Sequence, residues 1–134
     1  MADTVVVGFI RSAEGQAALA AAVAESRLRN ATLVVVHSAK GGGHEHADEV
    51  IAEREALESA VSALRADGLE VQVRDLVRGQ EPADDLIDVA DTEGASLIVI
   101  GLRRRSAVGK LIMGSNSQRI LLEANCPVLA VKAE

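Results

Sequence analysis

The sequence predicts an α/β fold in which a five-stranded parallel sheet is doubly wound, with helices on both faces. Three observations carry this expectation. Short unbroken apolar runs alternate, along 134 residues, with longer stretches whose apolar positions recur at helical spacing. The hydrophobic fraction is 49%, yet it includes one Phe and neither Trp nor Tyr, so Val, Leu, Ile and Ala must fill the core. Those are the residues of thin strands buried on both faces and covered by Ala-rich helices. No linker-like or repeated segment divides the chain, so residues 1–134 are expected to form one domain, long enough to bury its own core.

The first strand is Thr4-Val-Val-Val-Gly-Phe-Ile10, continuously apolar as a strand covered on both faces must be. Ser12 follows as an N-cap, because its hydroxyl can accept a bond from the unpartnered N–H groups of a helix's first turn. The helix it opens runs to about Asn30, with Leu19, Ala22 and Val23 on one face. Leu33–His37 is the second strand, and Gly41-Gly-Gly-His-Glu-His46 is a loop tip. Val50, Leu57, Val61 and Leu64 mark a second helix from about Glu45 to Ala66, stopped by Gly68. Leu69, Val71 and Val73 alternate with Glu70, Gln72 and Arg74, and one wet face puts this third strand at a sheet edge. Pro82 suits the first position of a third helix carrying Leu86, Ile87 and Ala90 and ended by Gly94. Ser96-Leu-Ile-Val-Ile100 is the fourth strand, Ser115–Ala124 the fourth helix and Val128–Val131 the last strand. Strict alternation gives parallel pairing, since each right-handed crossover returns the chain in the same direction.

Composition removes several functions. A net charge of −6 disfavours duplex DNA, and the near absence of aromatic rings removes a platform for stacking single-stranded bases. A single Cys forms no internal disulfide, which fits a reducing compartment. The N-terminus lacks a basic region followed by an apolar run, and no apolar run approaches the ~20 residues that cross a bilayer. The expectation is a cytoplasmic protein with neither nucleic acid nor membrane as partner.

In an open parallel sheet ligands bind beyond the C-terminal ends of the strands, where the strand order reverses. The first and fourth strands flank that point, ending in Ile10-Arg11-Ser12 and Gly101-Leu-Arg-Arg-Arg-Ser106. Between Ala95 and Leu122 there is no Asp or Glu, yet five of the 14 basic residues fall there: Arg103, Arg104, Arg105, Lys110 and Arg119. Gly101, Gly109 and Gly114 permit close backbone approach, and Gly114-Ser115 opens a helix whose N–H groups and dipole favour an anion. Residue types leave two readings open, a phosphate site and a solvated basic loop.

Gly101, nine residues between Arg104 and Gly114, and Ser115 resemble the Gly-x-x-Gly-(nine residues)-Gly-Ser/Thr pattern of the universal stress protein family, with Arg104 in place of the second Gly. The resemblance spans the chain: the opening Val-Val-Val-Gly strand, Gly79-x-x-Pro82, Ser96–Gly101 and Cys126-Pro-Val-Leu-Ala-Val131. It implies an adenine nucleotide alpha-hydrolase-like sheet of order 3-2-1-4-5 and a stress-response role. It also implies binding of ATP or another adenine nucleotide, with Mg²⁺, and no catalytic residues. Gly101, Arg103, Arg104, Gly114, Ser115, Asn116 and Ser117 would then line the phosphate end, with Ile10, Arg11 and Ser12 beneath. Ile10 stands where nucleotide-binding members carry Asp, so a dimeric interaction module that binds no nucleotide is the rival reading. A slow ATPase is a further one, although the loop offers no acidic base or metal ligand.

Other candidates are weaker on their chemistry. Lys110 follows Gly109 but precedes Leu111, and position 104 is Arg, so no P-loop is formed. His44, Glu45 and His46 lack a third well-spaced ligand, and Cys126 reads as a buried inert thiol. Ser115 and Ser117 lack a partnered His, and Asp84, Asp85 and Asp88 read as solvated helix charges. Val128–Val131 is apolar on both faces, poor chemistry for an exposed edge, and pairing with the same strand of a second copy would cover it in a symmetric homodimer.

Overall fold

The computed structural model describes residues 3–39, 47–77, 80–104, 111–112 and 114–133. In chain order these form β1 (Thr4–Gly8), α1 (Ala13–Arg29), β2 (Thr32–Ala39), α2 (Ala47–Ala66), β3 (Val71–Val77), α3 (Pro82–Glu93), β4 (Leu97–Arg104), β5 (Leu111–Ile112), α4 (Ser115–Glu123) and β6 (Val128–Lys132). Five strands pair in parallel as β3-β2-β1-β4-β6, the expected order, with β6 as the fifth. Sequence periodicity gave no sign of β5, whose two residues pair antiparallel with Arg103 and Arg104 at the far end of β4.

Alternation of side chains across the strands builds two cores. On one face Val5, Val7, Leu33, Val35, Val71, Leu97 and Val99 pack with Ala18 and Ala22 of α1 and with Leu57 and Val61 of α2. On the other, Val6, Val34, Val36, Ile98, Ile100 and Leu102 meet Leu86, Val89 and Ala90 of α3 and Ile120 of α4. The helices change face because the chain moves outward from β1 through β2 to β3, then returns to β4 on the opposite side of β1. β3 lies at an edge, as its alternation predicts, bonded only to β2 among the described strands.

Predicted helix ends match the caps. Ser12 Oγ accepts the Gly15 N–H at 3.2 Å and opens α1, which closes on Asn30 at φ +54°. Gly68 (φ +90°) and Gly94 (φ +61°) take the left-handed conformation after α2 and α3, which a Cβ would disfavour. Two glycines act instead by closeness. A Cβ on Gly15 would lie 2.0 Å from the Ile10 carbonyl oxygen, and one on Gly101 would lie 2.0 Å from that of Glu14. The first turn of α1 therefore rests directly on the ends of β1 and β4. No helix among the described residues is long and apolar enough to cross a membrane.

Candidate functional site

A cleft of about 160 Å³ opens where the strand order reverses, at the C-terminal ends of β1 and β4. Its floor is apolar: Val36, Leu86, Ile100 and Ile120, with Phe9 and Ile10 from the end of β1. Polar side chains enter from its edges, Glu14 from α1, Ser38 from β2, and Asn116 and Ser117 from α4. The cleft is smaller than the ~300 Å³ of a typical small-molecule pocket. It would enclose one part of a nucleotide-sized ligand and leave the remainder to run out over its rim.

Three helices begin around the cleft, α1, α3 and α4, and each N-terminus is handled differently. Ser12 caps α1. α3 starts at Pro82 after Glu81, whose side chain makes no capping bond; instead the Ala83 N–H donates to Asn116 Oδ1 at 3.1 Å, so α4 caps α3. α4 begins at Gly114, which has no side chain to cap it and keeps an ordinary φ of −70°. Among the described residues, a Cβ at Gly114 would meet nothing within 4 Å. The described residues thus make no steric demand for glycine there. The N–H groups of Ser115, Asn116 and Ser117 have no acceptor within α4, as in the first turn of any helix, and point with its positive dipole end toward the rim.

The basic window of the sequence is paired in space where it is described. Arg103 forks onto Glu14, with Nη2 to Oε1 at 3.1 Å and Nε to Oε2 at 3.4 Å. That bond, followed by one from its own backbone, holds the Glu14 carboxyl below its usual pKa. Arg119 ion-pairs with Asp84 of α3 and, at 3.1 Å, with Glu123 one turn on; these hydrogen bonds, Asp84's first, raise its already high pKa. A window free of acids in sequence is therefore supplied with them by α1, by α3 and by the next turn of α4.

The predicted site residues separate accordingly. Ile10, Gly101, Asn116 and Ser117 line the cleft, with Ile10 55% exposed at its mouth. Gly114 and Ser115 form the adjoining start of α4. Ser12 spends its hydroxyl on the α1 cap, Arg11 is exposed and outside the lining, and Arg103 is exposed and tied to Glu14. Arg104 contributes backbone to β4; its side chain, residues 105–110 with Gly109 and Lys110, Gly79, and the His44–His46 tip lie outside the described residues.

Two acidic residues of α3 depart from expectation. Asp85 is not a solvated charge but fully buried, accepting a hydrogen bond from Ser38 Oγ, and Asp84 is the partner of Arg119. His37, also buried, bridges Glu53 at 2.9 Å and Asp75 at 3.1 Å on the face away from the cleft. Burial, then the charge of Asp91, raises the Cys126 thiol pKa, which keeps it protonated and unreactive at neutral pH. Among the described residues no three His, Cys, Asp or Glu side chains are placed to hold a metal ion. Sequence reasoning missed Glu14, Gly15, Ser38 and Ala83. Ser38 carried a usable signal, since it sits at the C-terminal end of the strand next to β1.

Comparison with known proteins gives one consistent result. The family model described as the universal stress protein family matches residues 1–132. A universal stress protein of Mycolicibacterium smegmatis is 34% identical over 128 residues, 96% of each chain. The structure of a universal stress protein from Archaeoglobus fulgidus superposes with a TM-score of 0.82 at 42% identity, covering 98% of this chain and 99% of that one. A second, the universal stress protein from Archaeoglobus fulgidus in complex with dAMP, has a TM-score of 0.75 at 37% identity and covers 98% of both chains.

Proposed function

The chain belongs to the universal stress protein family, and on that premise we propose that its cleft binds an adenine nucleotide, as a regulatory stress-response protein rather than an enzyme. The observation that carries the reading is Gly114: a helix N-cap with open space among the described residues where a side chain would be, beside an apolar cleft at the switch point of the sheet. The base and ribose would lie on Val36, Leu86 and Ile100, and the phosphates would accept bonds from the N–H groups of Ser115, Asn116 and Ser117. The Archaeoglobus relative in complex with dAMP supports a ligand of this class.

Mg²⁺, if taken up, would arrive on the phosphates. Glu14, the carboxylate that lines the cleft among the described residues, is already held by Arg103. Among the described lining residues no other acid or His stands ready to activate water, which supports binding over hydrolysis. Residues 1–134 would act as one cytoplasmic domain. Two copies would pair through β6, which bonds β4 on one side and leaves Leu129 37% exposed.

Isothermal titration of the full chain with ATP and AMP, with and without Mg²⁺, tests the central reading. Saturable binding of one nucleotide per chain is expected; no heat from either nucleotide would refute it. One observation favours the rival, a dimeric module without nucleotide: the exposed apolar Ile10 at the cleft mouth accepts no hydrogen bond from a ribose or base.

A further inference from the structure

His37 is buried on β2, on the sheet face away from the cleft. Its Nδ1 lies 3.1 Å from Oδ1 of Asp75, its register partner on β3, and its Nε2 lies 2.9 Å from Oε2 of Glu53 on α2. A neutral imidazole has one N–H and one lone pair, so it bonds to one carboxylate and repels the other. Holding both carboxylates at once requires the imidazolium. Arg54 of α2 ion-pairs through Nε with Asp75 Oδ2 at 3.0 Å, so this group of two cations and two carboxylates balances only when His37 is charged. From the β1 side comes Phe9, whose N–H donates to Val36 O at 2.8 Å and whose ring carries no charge. The two halves of α2 depend on the group unequally. Leu57, Val61 and Leu64 pack the second half into the core. None of the residues from Asp48 to Ala56 is buried, and Ile51 is exposed. Glu53 and Arg54 tie this first half to β2 and β3. A segment with so little buried apolar surface opens locally at small cost.

We propose that His37 is a proton-operated latch on α2, closed while its ring is an imidazolium and opened as rising pH removes the Nε2 proton. The Nδ1 proton stays with Asp75, whose other oxygen Arg54 holds in place. Glu53 then faces a lone pair, and residues 48–56 swing off the sheet while Leu57 and Val61 keep the rest of α2 docked. The groove between α2 and β3, lined by Arg54, Leu57 and Val73, widens as they leave. The stabilisation belongs to the protonated ring, so it is present at low pH and lost as pH rises through the titration of His37. This latch lies on the opposite face from the cleft and stands independently of the nucleotide reading.

The experiment is amide hydrogen exchange followed by NMR on the full chain between about pH 6 and pH 9, the range that brackets ordinary histidine titration, with rates corrected for base catalysis. In the parent, protection of residues 51–56 should fall roughly tenfold or more across that range, the size of one lost charge-assisted hydrogen bond. Residues 57–64 should keep their protection. Glu53→Gln supplies an amide that accepts from the imidazolium and donates to the neutral ring, so the pH step should vanish with protection retained. His37→Phe should leave residues 51–56 poorly protected at every pH; should it not fold, Glu53→Gln decides alone. Parental protection of residues 51–56 that does not change with pH overturns the latch. So does a pH step that survives in Glu53→Gln, or a His37→Phe protein as well protected as the parent at the acid end.

Discussion

Replacing Gly101 by Ala should damage the fold, whereas replacing Gly114 by Ala should damage only the site. At Gly101 the new Cβ would stand 2.0 Å from the Glu14 carbonyl oxygen and 2.6 Å from its carbon. Carbon–oxygen contacts rarely close below about 3.3 Å, so the first turn of α1 would have to retreat by more than ~1 Å. It has little room to do so. Gly15 is equally tight on Ile10, the Ser12 cap fixes the turn, and Ala18 and Ala22 are buried against the sheet at 2% and 0% exposure. Overpacking of this kind costs about 3 kcal/mol. For a chain of this length that lowers Tm by about 10 °C. At Gly114 a Cβ meets open space among the described residues, so the stability change should stay below ~1 kcal/mol, the difference between Gly and Ala as an N-cap. AMP affinity should nevertheless fall roughly tenfold, because the side chain intrudes where the phosphates pass. Urea titrations with a two-state fit read the first quantity and calorimetry the second. A Gly101→Ala protein as stable as the parent would refute the wedged contact between α1 and β4. A Gly114→Ala protein that binds AMP at full strength would refute the assignment of Gly114 to the ligand.

Arg103→Ala should let the Glu14 pKa rise toward the ordinary carboxylate value, followed by NMR titration of its side chain. A depressed folded pKa means the pair adds stability above the unfolded-state pKa of about 4.3 and loses it as pH falls through the folded value. The exposed Arg103 limits that contribution to ~0.5 kcal/mol, so the variant should differ from the parent near neutrality and converge with it in acid. Asn116→Ala should cost about 1–2 kcal/mol by orphaning the Ala83 N–H, measured by denaturant unfolding, and an unchanged midpoint would show that α3 needs no cap from α4. Leu129→Lys should convert a dimer to a monomer in light scattering, and dimers that persist would place the contact away from β6.

The fold was legible because its signals are local and redundant. Apolar runs such as Val5–Val7, together with Ser12, Gly68 and Gly94 as caps or stops, each state an element boundary without reference to the rest of the chain. β5 was not legible: two residues carry no period, and they form a strand only because Arg103 and Arg104 lie opposite them. The site was half legible. Gly101, Gly114 and Ser115 stand out by spacing, but the charge balance is not legible, since Glu14 and Asp84 reach the basic residues across 89 and 35 positions of sequence. Asp85 was mistaken for a surface charge because helix periodicity cannot report a hydroxyl waiting on a neighbouring strand. Ser38 supplies that hydroxyl, and only the packing of α3 onto β2 brings the two together.

On the proposed reading an adenine nucleotide would lie across the ends of β1 and β4 with its phosphates at α4. Backbone amide NMR of the isotope-labelled chain, titrated with AMP, tests both occupancy and place. Saturable shifts are expected at Gly8, Gly15, Ser38, Gly101 and Ser115–Ser117, with the α2–β3 face around Leu57 and Val73 unmoved. Spectra unchanged at millimolar AMP, or shifts confined to that far face, would contradict it.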